Sequence, residues 1–282
     1  MSEQLRTQSR NSPTLRISAV GAEFAYREFG PQTGVPLVVL THLGANLDSW
    51  DPRIVDGLAE DRHVIAVGYR GVGDSTGHIR DSIEDMAEDM VAVIRALGYD
   101  RVDVFGLSMG GMVAQAFVER APGLIDRLVL SGSGPAGGPG LTDMTRITIA
   151  SVLRAVLTFQ DPKALLFFTR TPAGKKAARE YLARLKERTA VRDKAVTPGV
   201  YRAQLAALHR WGMQQPSDLS QFTGPVLIVH GDSDRMVPSA NATELTRQLA
   251  SASVLVFPDS GHGVAFQNYS AFVDVARDFL RR

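Results

Sequence analysis

The strongest constraint on the fold is an alternation, between residues 14 and 130, of short apolar β-branched runs with longer helix-like stretches. Two of these runs, Leu37–Leu40 and Val64–Val67, are too short for helices and contain no polar residue, as is typical of buried strands. Parallel neighbouring strands need a long crossover, and helices usually supply it. The alternation therefore predicts an α/β fold in which helices cover both faces of a mostly parallel, doubly wound sheet.

The segment that begins at Ser82 shows the helical part of this alternation. Asp85 stands three residues after Ser82, as at a helix amino terminus, and Gly98 marks the end of the segment. Its apolar residues recur at helical spacing: Ile83, Met86, Met90, Val93, Ile94 and Leu97. We expect an amphipathic helix that packs against the sheet.

The strand signal disappears after residue 134 and returns at Val226–Val229. Residues 135–216 show only helical patterns, so we interpret them as a helical cap inserted into the sheet domain. Residues 14–134 and 217–282 would then form the α/β core. Residues 1–13 are polar and are expected to form a flexible amino-terminal tail.

Composition excludes several classes of function. The chain contains no cysteine, which removes disulfides, cysteine-bound metals and a thiol nucleophile. A formal net charge of +1 provides no overall field that would attract nucleic acid or an anionic membrane. No secretory signal and no run of 18 apolar residues is found, so we expect a soluble, cytoplasmic protein without a membrane span. The sequence leaves the oligomeric state open.

Two segments match the pattern Gly-x-Ser-x-Gly, at residues 73–77 and 106–110. A serine nucleophile needs a strand that ends abruptly and a helix that begins at once, because this sharp turn exposes the hydroxyl. Only Ser108 has both, since a strand pattern precedes it and a helix pattern follows it. Ser75 lies in a glycine-rich loop and is interpreted as a turn residue.

A serine hydroxyl also needs a base, and the base needs a carboxylate to orient it. Of the six histidines, His262 alone lies in a loop after a late strand and keeps the chain order Ser, Asp, His. Two carboxylates, Asp232 and Asp234, follow the strand at Val226–Val229. The residues alone leave the choice between these two aspartates open.

Four signatures in their joint order resemble the α/β-hydrolase superfamily, from about residue 14 to the carboxyl terminus. They are the loop 41–50, the turn 69–75, the Gly106–Gly111 elbow, and the segments around Asp234 and His262. The elbow is most similar to those of esterases, enol-lactonases and cofactor-free haloperoxidases. The resemblance implies that Asp234, rather than Asp232, is the acid partner of His262.

The resemblance further implies an oxyanion hole made of two backbone N–H groups, those of Leu43 and Met109, and no metal or cofactor. The loop departs from the family's common His-Gly-x pattern, because Thr41 and His42 precede Leu43. The cap would select the substrate with apolar side chains, of which Trp211 is expected to face the pocket. The apolar candidates are Phe159, Leu165, Leu166, Phe167, Phe168 and Trp211, with Trp50 below them.

The expected function is hydrolysis of a small apolar carboxylic ester or lactone through an acyl-enzyme. One alternative is haloperoxidase or perhydrolase activity, because hydrogen peroxide can replace water at an acyl-enzyme. A second is a non-catalytic ligand-binding protein, since a fold does not determine a function. A third is cofactor-free oxygenation of an aromatic heterocycle by a His-Asp pair.

Overall fold

The structure, a computed structural model, describes residues 8–189 and 191–282, and its strands form one eight-stranded sheet. The spatial order is β1-β2-β4-β3-β5-β6-β7-β8. The neighbouring pairs β4–β3, β3–β5, β5–β6, β6–β7 and β7–β8 are all parallel. The strands are β1 (Leu15–Ala19), β2 (Ala22–Phe29), β3 (Leu37–Leu40), β4 (Val64–Val67), β5 (Val102–Leu107), β6 (Ile125–Ser131), β7 (Val226–Gly231) and β8 (Ala252–Phe257). Only the β1–β2 and β2–β4 pairs are antiparallel. The predicted mostly parallel sheet is confirmed.

Helices cover both faces of the sheet. They are α1 (Pro52–Leu58), α2 (Ile83–Ala96), α3 (Met109–Arg120), α4 (Met144–Thr158), α5 (Pro162–Phe167), α6 (Pro172–Arg184), α7 (Pro198–Met213), α8 (Ala240–Gln248), α9 (Val264–Gln267) and α10 (Tyr269–Arg281). One apolar cluster contains residues of α2, α3 and α8, and the other contains residues of α1 and α10. The Ser82 hydroxyl accepts a hydrogen bond from the Asp85 N–H at 3.0 Å, which caps α2 where the sequence predicted.

Parallel strands bring their carboxyl ends to the same edge of the sheet, and ligands of open α/β sheets bind outside that edge. The chain leaves β3 at Leu40, β5 at Leu107, β7 at Gly231 and β8 at Phe257. Each of the loops that follow contains one of the predicted site residues. The topology alone therefore gathers these residues at one end of the molecule.

Helices α4 to α7 all lie between β6 and β7, in the segment predicted to form the cap, and buried polar contacts attach this segment to the rest of the chain. Arg184 of α6 donates from Nη2 to Asp51 Oδ2 at 2.6 Å and from Nε to Asp51 Oδ1 at 2.9 Å. The Asp193 carboxylate accepts hydrogen bonds from the N–H groups of Leu47 at 2.9 Å and Asp74 at 2.6 Å. The cap is thus fixed to two core loops near the carboxyl edge of the sheet.

Residues 8–13 of the predicted tail contact the rest of the chain. The Arg188 guanidinium donates to the carbonyl oxygens of Ser9 at 2.8 Å and Ser12 at 2.9 Å, and Ser12 Oγ donates to the Glu28 carbonyl at 2.9 Å. Residues 1–7 lie outside the described residues. Within residues 8–189 and 191–282, no helix combines the length and the apolar character needed to cross a bilayer.

Candidate active site

Ser108 stands between the last residue of β5 and the first residue of α3, in a backbone conformation with φ 54° and ψ −117°. A positive φ is unusual for a residue with a side chain and costs conformational energy, which the surrounding structure must compensate. Such strained strand-to-helix turns hold the nucleophile above the sheet in hydrolases of this architecture. The local geometry matches the prediction made for this serine.

Two glycines allow the close approach of backbones around Ser108. A Cβ atom at Gly106 would lie 2.5 Å from the Cα of Gly111, so the strand and the helix could not pack as they do. A Cβ atom at Gly110 would lie 2.1 Å from the carbonyl oxygen of Leu40, at the end of β3. The start of α3 therefore presses directly against the end of β3, which brings the loop after β3 beside Ser108.

Ser108, His262 and Asp234 form a continuous chain of contacts. His262 Nε2 lies 2.8 Å from Ser108 Oγ, and His262 Nδ1 lies 2.8 Å from Asp234 Oδ2. With the carboxylate as acceptor at Nδ1, this nitrogen carries the ring proton and Nε2 is free to accept the serine proton. All three side chains are buried although they come from loops far apart in the sequence.

Asp234 is held rigidly behind His262. Its Oδ1 accepts hydrogen bonds from the N–H groups of Met236 at 2.8 Å and Val237 at 2.9 Å, which leaves Oδ2 for the histidine. The competing Asp232 is exposed, and its carboxylate accepts a hydrogen bond from Ser233 Oγ at 2.8 Å. The structure brings Asp234, and not Asp232, to His262.

A second histidine, His230, lies next to Asp234. It is fully buried at the end of β7, with Nε2 2.9 Å from the Val237 carbonyl oxygen and 3.6 Å from Asp234 Oδ2. Burial lowers the pKa of His230, so the ring is neutral at pH 7 and Nε2 donates its proton to the carbonyl. His230 thus supports the segment that positions Asp234. The sequence showed it only as a histidine at a strand end.

A cavity of about 480 Å³ opens above Ser108 and His262. Most of its wall is apolar and comes from the loop after β3, from α4, α5 and α7, and from the segment after β7: Leu43, Ile149, Val152, Leu153, Pro162, Leu166, Phe167, Pro198, Tyr201, Leu205 and Met236. Its polar side chains besides the two catalytic candidates are His42, Thr148, Asp161 and Lys163. The predicted apolar pocket residues Leu166 and Phe167 are among this lining.

His42 is a buried, neutral member of the cavity wall. Burial, and to a smaller extent the nearby charge of Lys163, lower the pKa of His42 to about 4. Its Nδ1 donates to the Leu43 carbonyl oxygen at 2.8 Å, and its ring meets Phe167 edge-on at 4.8 Å. His42 therefore fixes the backbone at the residue predicted to contribute to the oxyanion hole.

Leu43 and Met109, the predicted oxyanion donors, belong to two different elements. Leu43 lines the cavity in the loop after β3. Met109 is the first residue of α3, and the N–H groups of a helix's first turn have no acceptor within the helix. The next residue of the loop, Gly44, donates its N–H to Gln204 Oε1 at 2.8 Å, so α7 of the cap fixes the loop from the other side.

Trp211 does not face this cavity, and the prediction for it is corrected. The residue is buried in the apolar core, and its indole N–H donates to the Gly134 carbonyl oxygen at 3.2 Å. Tyr201 and Leu205 line the cavity instead. They are four residues apart and so share one face of α7, whereas Trp211, six residues beyond Leu205, lies on another.

Ser75, the serine of the other Gly-x-Ser-x-Gly segment, has a structural role in the turn. Its Oγ accepts a hydrogen bond from the Ala25 N–H at 3.0 Å, which links the turn to β2. Among the described residues, no group of three or more histidine and acidic side chains is arranged to hold a metal ion.

Comparison with known proteins agrees with the fold. A solved α/β-hydrolase fold protein from Chitinophaga pinensis superposes on this chain with a TM-score of 0.91 and 31% sequence identity. The superposition covers 97% of this chain and 99% of that protein. The 2-hydroxymuconate semialdehyde hydrolase of Pseudomonas sp. strain CF600 is 26% identical, with 96% of this chain and 95% of that protein covered. The pimeloyl-[acyl-carrier protein] methyl ester esterase of Nitrosomonas europaea is 29% identical, with coverage of 81% and 89%. The family model described as the α/β hydrolase fold matches residues 35–269, and the chain belongs to this family of hydrolases.

Proposed function

We propose that this protein is a serine hydrolase that cleaves a carboxylic ester or a lactone through an acyl-enzyme. The observation that carries the proposal is the hydrogen-bonded chain from Ser108 Oγ through His262 to Asp234, with both contacts at 2.8 Å, in which Ser108 and His262 line the cavity. A nucleophile, a base and an orienting carboxylate in this geometry are the arrangement required for acyl transfer.

In the first step, Ser108 Oγ attacks the carbonyl carbon of the substrate while His262 Nε2 removes the serine proton. Asp234 stabilises the imidazolium that forms and remains ionised. The N–H groups of Leu43 and Met109 would bind the oxygen that becomes negative in the tetrahedral intermediate. The collapse of this intermediate breaks the ester bond, and His262 returns the proton to the leaving alcohol.

In the second step, water replaces the alcohol. His262 removes a proton from the water as it attacks the acyl carbon, and the collapse of the second intermediate restores the Ser108 hydroxyl. The products are one carboxylic acid and one alcohol, or a hydroxy acid when the substrate is a lactone. The two-step reaction needs no oxidant or reductant, because no atom changes its oxidation state overall.

The cavity supports a small and largely apolar substrate. Its volume of about 480 Å³ lies within the range of small-molecule sites, and apolar side chains of α4, α5 and α7 form most of its wall. Lys163 and Asp161 form the charged part of the lining, with Lys163 Nζ 3.9 Å from Asp161 Oδ1. A polar group of the substrate would bind at this part of the wall, and the apolar group would fill the rest.

Two variants test the proposal, each at a serine that lies in a Gly-x-Ser-x-Gly segment. Ser108→Ala should reduce kcat for p-nitrophenyl butyrate by about 10⁴-fold or more, because both the nucleophile and the covalent intermediate are lost. Ser75→Ala is the matched control and should keep kcat within about threefold, because Ser75 only ties a turn to β2. Full turnover by a folded Ser108→Ala protein would refute the proposed role of Ser108.

A further inference from the structure

Helix α4 of the cap carries most of its large apolar side chains outward. Its buried residues are Met144, Thr148, Ser151 and Ala155, of which three are small or polar. Its outer side carries five large apolar residues that are between 38% and 80% exposed, and Phe159, directly after the helix, is 98% exposed. We call this surface the α4 outer face: Ile149, Val152, Leu153, Val156, Leu157 and Phe159. An ordinary surface helix has the opposite arrangement.

The residues of the α4 outer face form one continuous stripe. Their spacing of three and four residues places them on the same side of the helix. Phe159 continues the stripe beyond the last turn, in a left-handed conformation with φ 53° that leaves its ring in solvent. Contiguous apolar patches of this kind mark interaction surfaces, because exposing them to water is unfavourable.

Positive charge lies beside the α4 outer face. Arg154 is exposed on α4, and no acidic residue occurs between Met144 and Thr158. Arg235 donates from Nη2 to the Leu165 carbonyl oxygen of α5 at 2.7 Å, and burial, followed by the charges of Arg170 and Arg154, lowers the pKa of Arg235. Within the part of the chain that the structure describes, none of the three forms an ion pair. Arg146, at the other end of α4, is paired with Asp143 at 3.2 Å.

The α4 outer face is continuous with the active-site cavity. Ile149 and Leu153 line both the cavity above Ser108 and an outer groove of about 1040 Å³ between α4 and α7. Tyr201 and Leu205 of α7 form the opposite wall of both spaces. A surface in contact with the α4 outer face would therefore adjoin the entrance of the cavity.

We propose that the α4 outer face docks on the surface of an anionic phospholipid bilayer. The apolar stripe would enter the boundary between headgroups and acyl chains, while Arg154, Arg170 and Arg235 contact lipid phosphates. A helix of this kind lies in the plane of the interface and does not cross the membrane. The net charge of +1 does not oppose this, because the attraction comes from a local cluster within reach of the surface.

The charge distribution favours a bilayer over a second copy of this chain. A twofold contact through the α4 outer face would bring two sets of three unpaired arginines towards each other, at a cost in repulsion. An anionic bilayer instead offers negatively charged headgroups to the arginines and, beneath the headgroups, an apolar phase to the α4 outer face. The docking does not depend on the proposed ester hydrolysis, so each can fail without the other.

The experiment measures sedimentation of the full chain with vesicles of phosphatidylcholine, with or without phosphatidylglycerol. We expect the wild type to bind the anionic vesicles, to bind the neutral ones much more weakly, and to dissociate as salt is raised. The double variant Leu157→Glu, Phe159→Glu should bind about tenfold more weakly or worse, and so should Arg154→Glu. None of these three residues lines the cavity, so turnover of a water-soluble ester should remain and would show that the variants are folded.

Two matched controls separate the α4 outer face from general effects of charge. Val256→Glu replaces an apolar residue that is 44% exposed on strand β8, and Arg179→Glu reverses an exposed charge on α6. Both should bind vesicles within about twofold of the wild type. Absence of vesicle binding, or equal binding by the Leu157, Phe159 variant, would overturn the proposal. So would a wild-type dimer in sedimentation that this variant converts to monomer, because a second copy would then cover the face.

Discussion

The side chain of Gln204, fully buried in α7 of the cap, accepts a hydrogen bond from the backbone N–H of Gly44 at 2.8 Å. From the same helix, the Tyr201 hydroxyl donates to the Gly44 carbonyl oxygen at 3.2 Å. Gly44 has φ +67°, and a Cβ atom there would lie 2.1 Å from the Tyr201 ring. The cap therefore fixes the backbone next to Leu43, in addition to covering the cavity.

We expect Gln204→Leu to lower kcat for a short ester by about tenfold while KM changes little. The substitution leaves the Gly44 N–H without its acceptor, and the loop that would present the Leu43 N–H to the oxyanion in the proposed mechanism becomes less ordered. Steady-state kinetics check this, with Gln214→Leu at the exposed end of α7 as control. An unchanged kcat would show that Gln204 does not position the loop.

Asp234→Asn should reduce kcat by about 10³-fold or more, because an amide cannot stabilise the imidazolium and disturbs the orientation of His262. Asp232→Asn, two residues away, should keep kcat within about threefold, since its exposed carboxylate faces Ser233 rather than the histidine. Measuring kcat of the two purified variants on one ester shows which of the two aspartates is the acid partner of His262. The reverse order of effects would transfer the acid role to Asp232.

Stability should fall as the pH is lowered from 7 to 5, and His42 should contribute to this. The pKa of His42 is about 4 in the folded protein, against about 6.5 when unfolded, so protonation favours the unfolded chain. Its stabilising contribution is complete above pH 6.5 and is lost as the pH falls towards 4. Between pH 7 and pH 5 the loss amounts to about 2 kcal/mol.

His42→Asn, which keeps a donor for the Leu43 carbonyl, provides the comparison for this pH effect. Urea denaturation gives the free energy of unfolding of each protein at pH 7 and at pH 5. The decrease in this free energy from pH 7 to pH 5 should be about 2 kcal/mol smaller in the variant than in the wild type. Equal losses in the two proteins would mean that His42 titrates in the folded state as it does in the unfolded chain.

Arg184→Met should destabilise the protein by about 3 to 5 kcal/mol, because it leaves the buried Asp51 carboxylate without its cation. Thermal and urea unfolding measure this loss. Arg179→Met, on the exposed side of the same helix, should change stability by less than about 0.5 kcal/mol. A small effect at Arg184 would show that the contact between cap and core contributes little to folding.

Local patterns were sufficient to predict the sheet and the Ser108 turn. Strand and helix signals around Ser108 are adjacent in sequence, so the prediction did not depend on distant packing. Asp234 and His262 required the chain order and the family resemblance, because nothing local distinguishes Asp234 from Asp232. The structure places Asp234 beside His262 and fixes its second oxygen with the N–H groups of Met236 and Val237.

The cap was predicted less well, since helical periodicity does not reveal which face meets the cavity. Trp211 and Phe159 were both candidates for the pocket, yet Trp211 lies in the core and Phe159 is exposed. Hydrogen bonds between the cap and the core, such as those of Gln204 and Asp193, join residues more than 100 positions apart, and no local signal indicates them. These contacts follow from tertiary packing alone.

Labelling with a fluorophosphonate, followed by trypsin digestion and mass spectrometry, identifies the nucleophilic serine of this protein. The probe reacts with activated serine hydroxyls, and Ser108 lies in the tryptic peptide of residues 102–120, whereas Ser75 lies in the peptide of residues 71–80. We expect a single label on Ser108 that disappears in Ser108→Ala and is strongly reduced in His262→Ala. A folded wild-type protein that stays unlabelled, or that is labelled at another residue, would contradict the assignment.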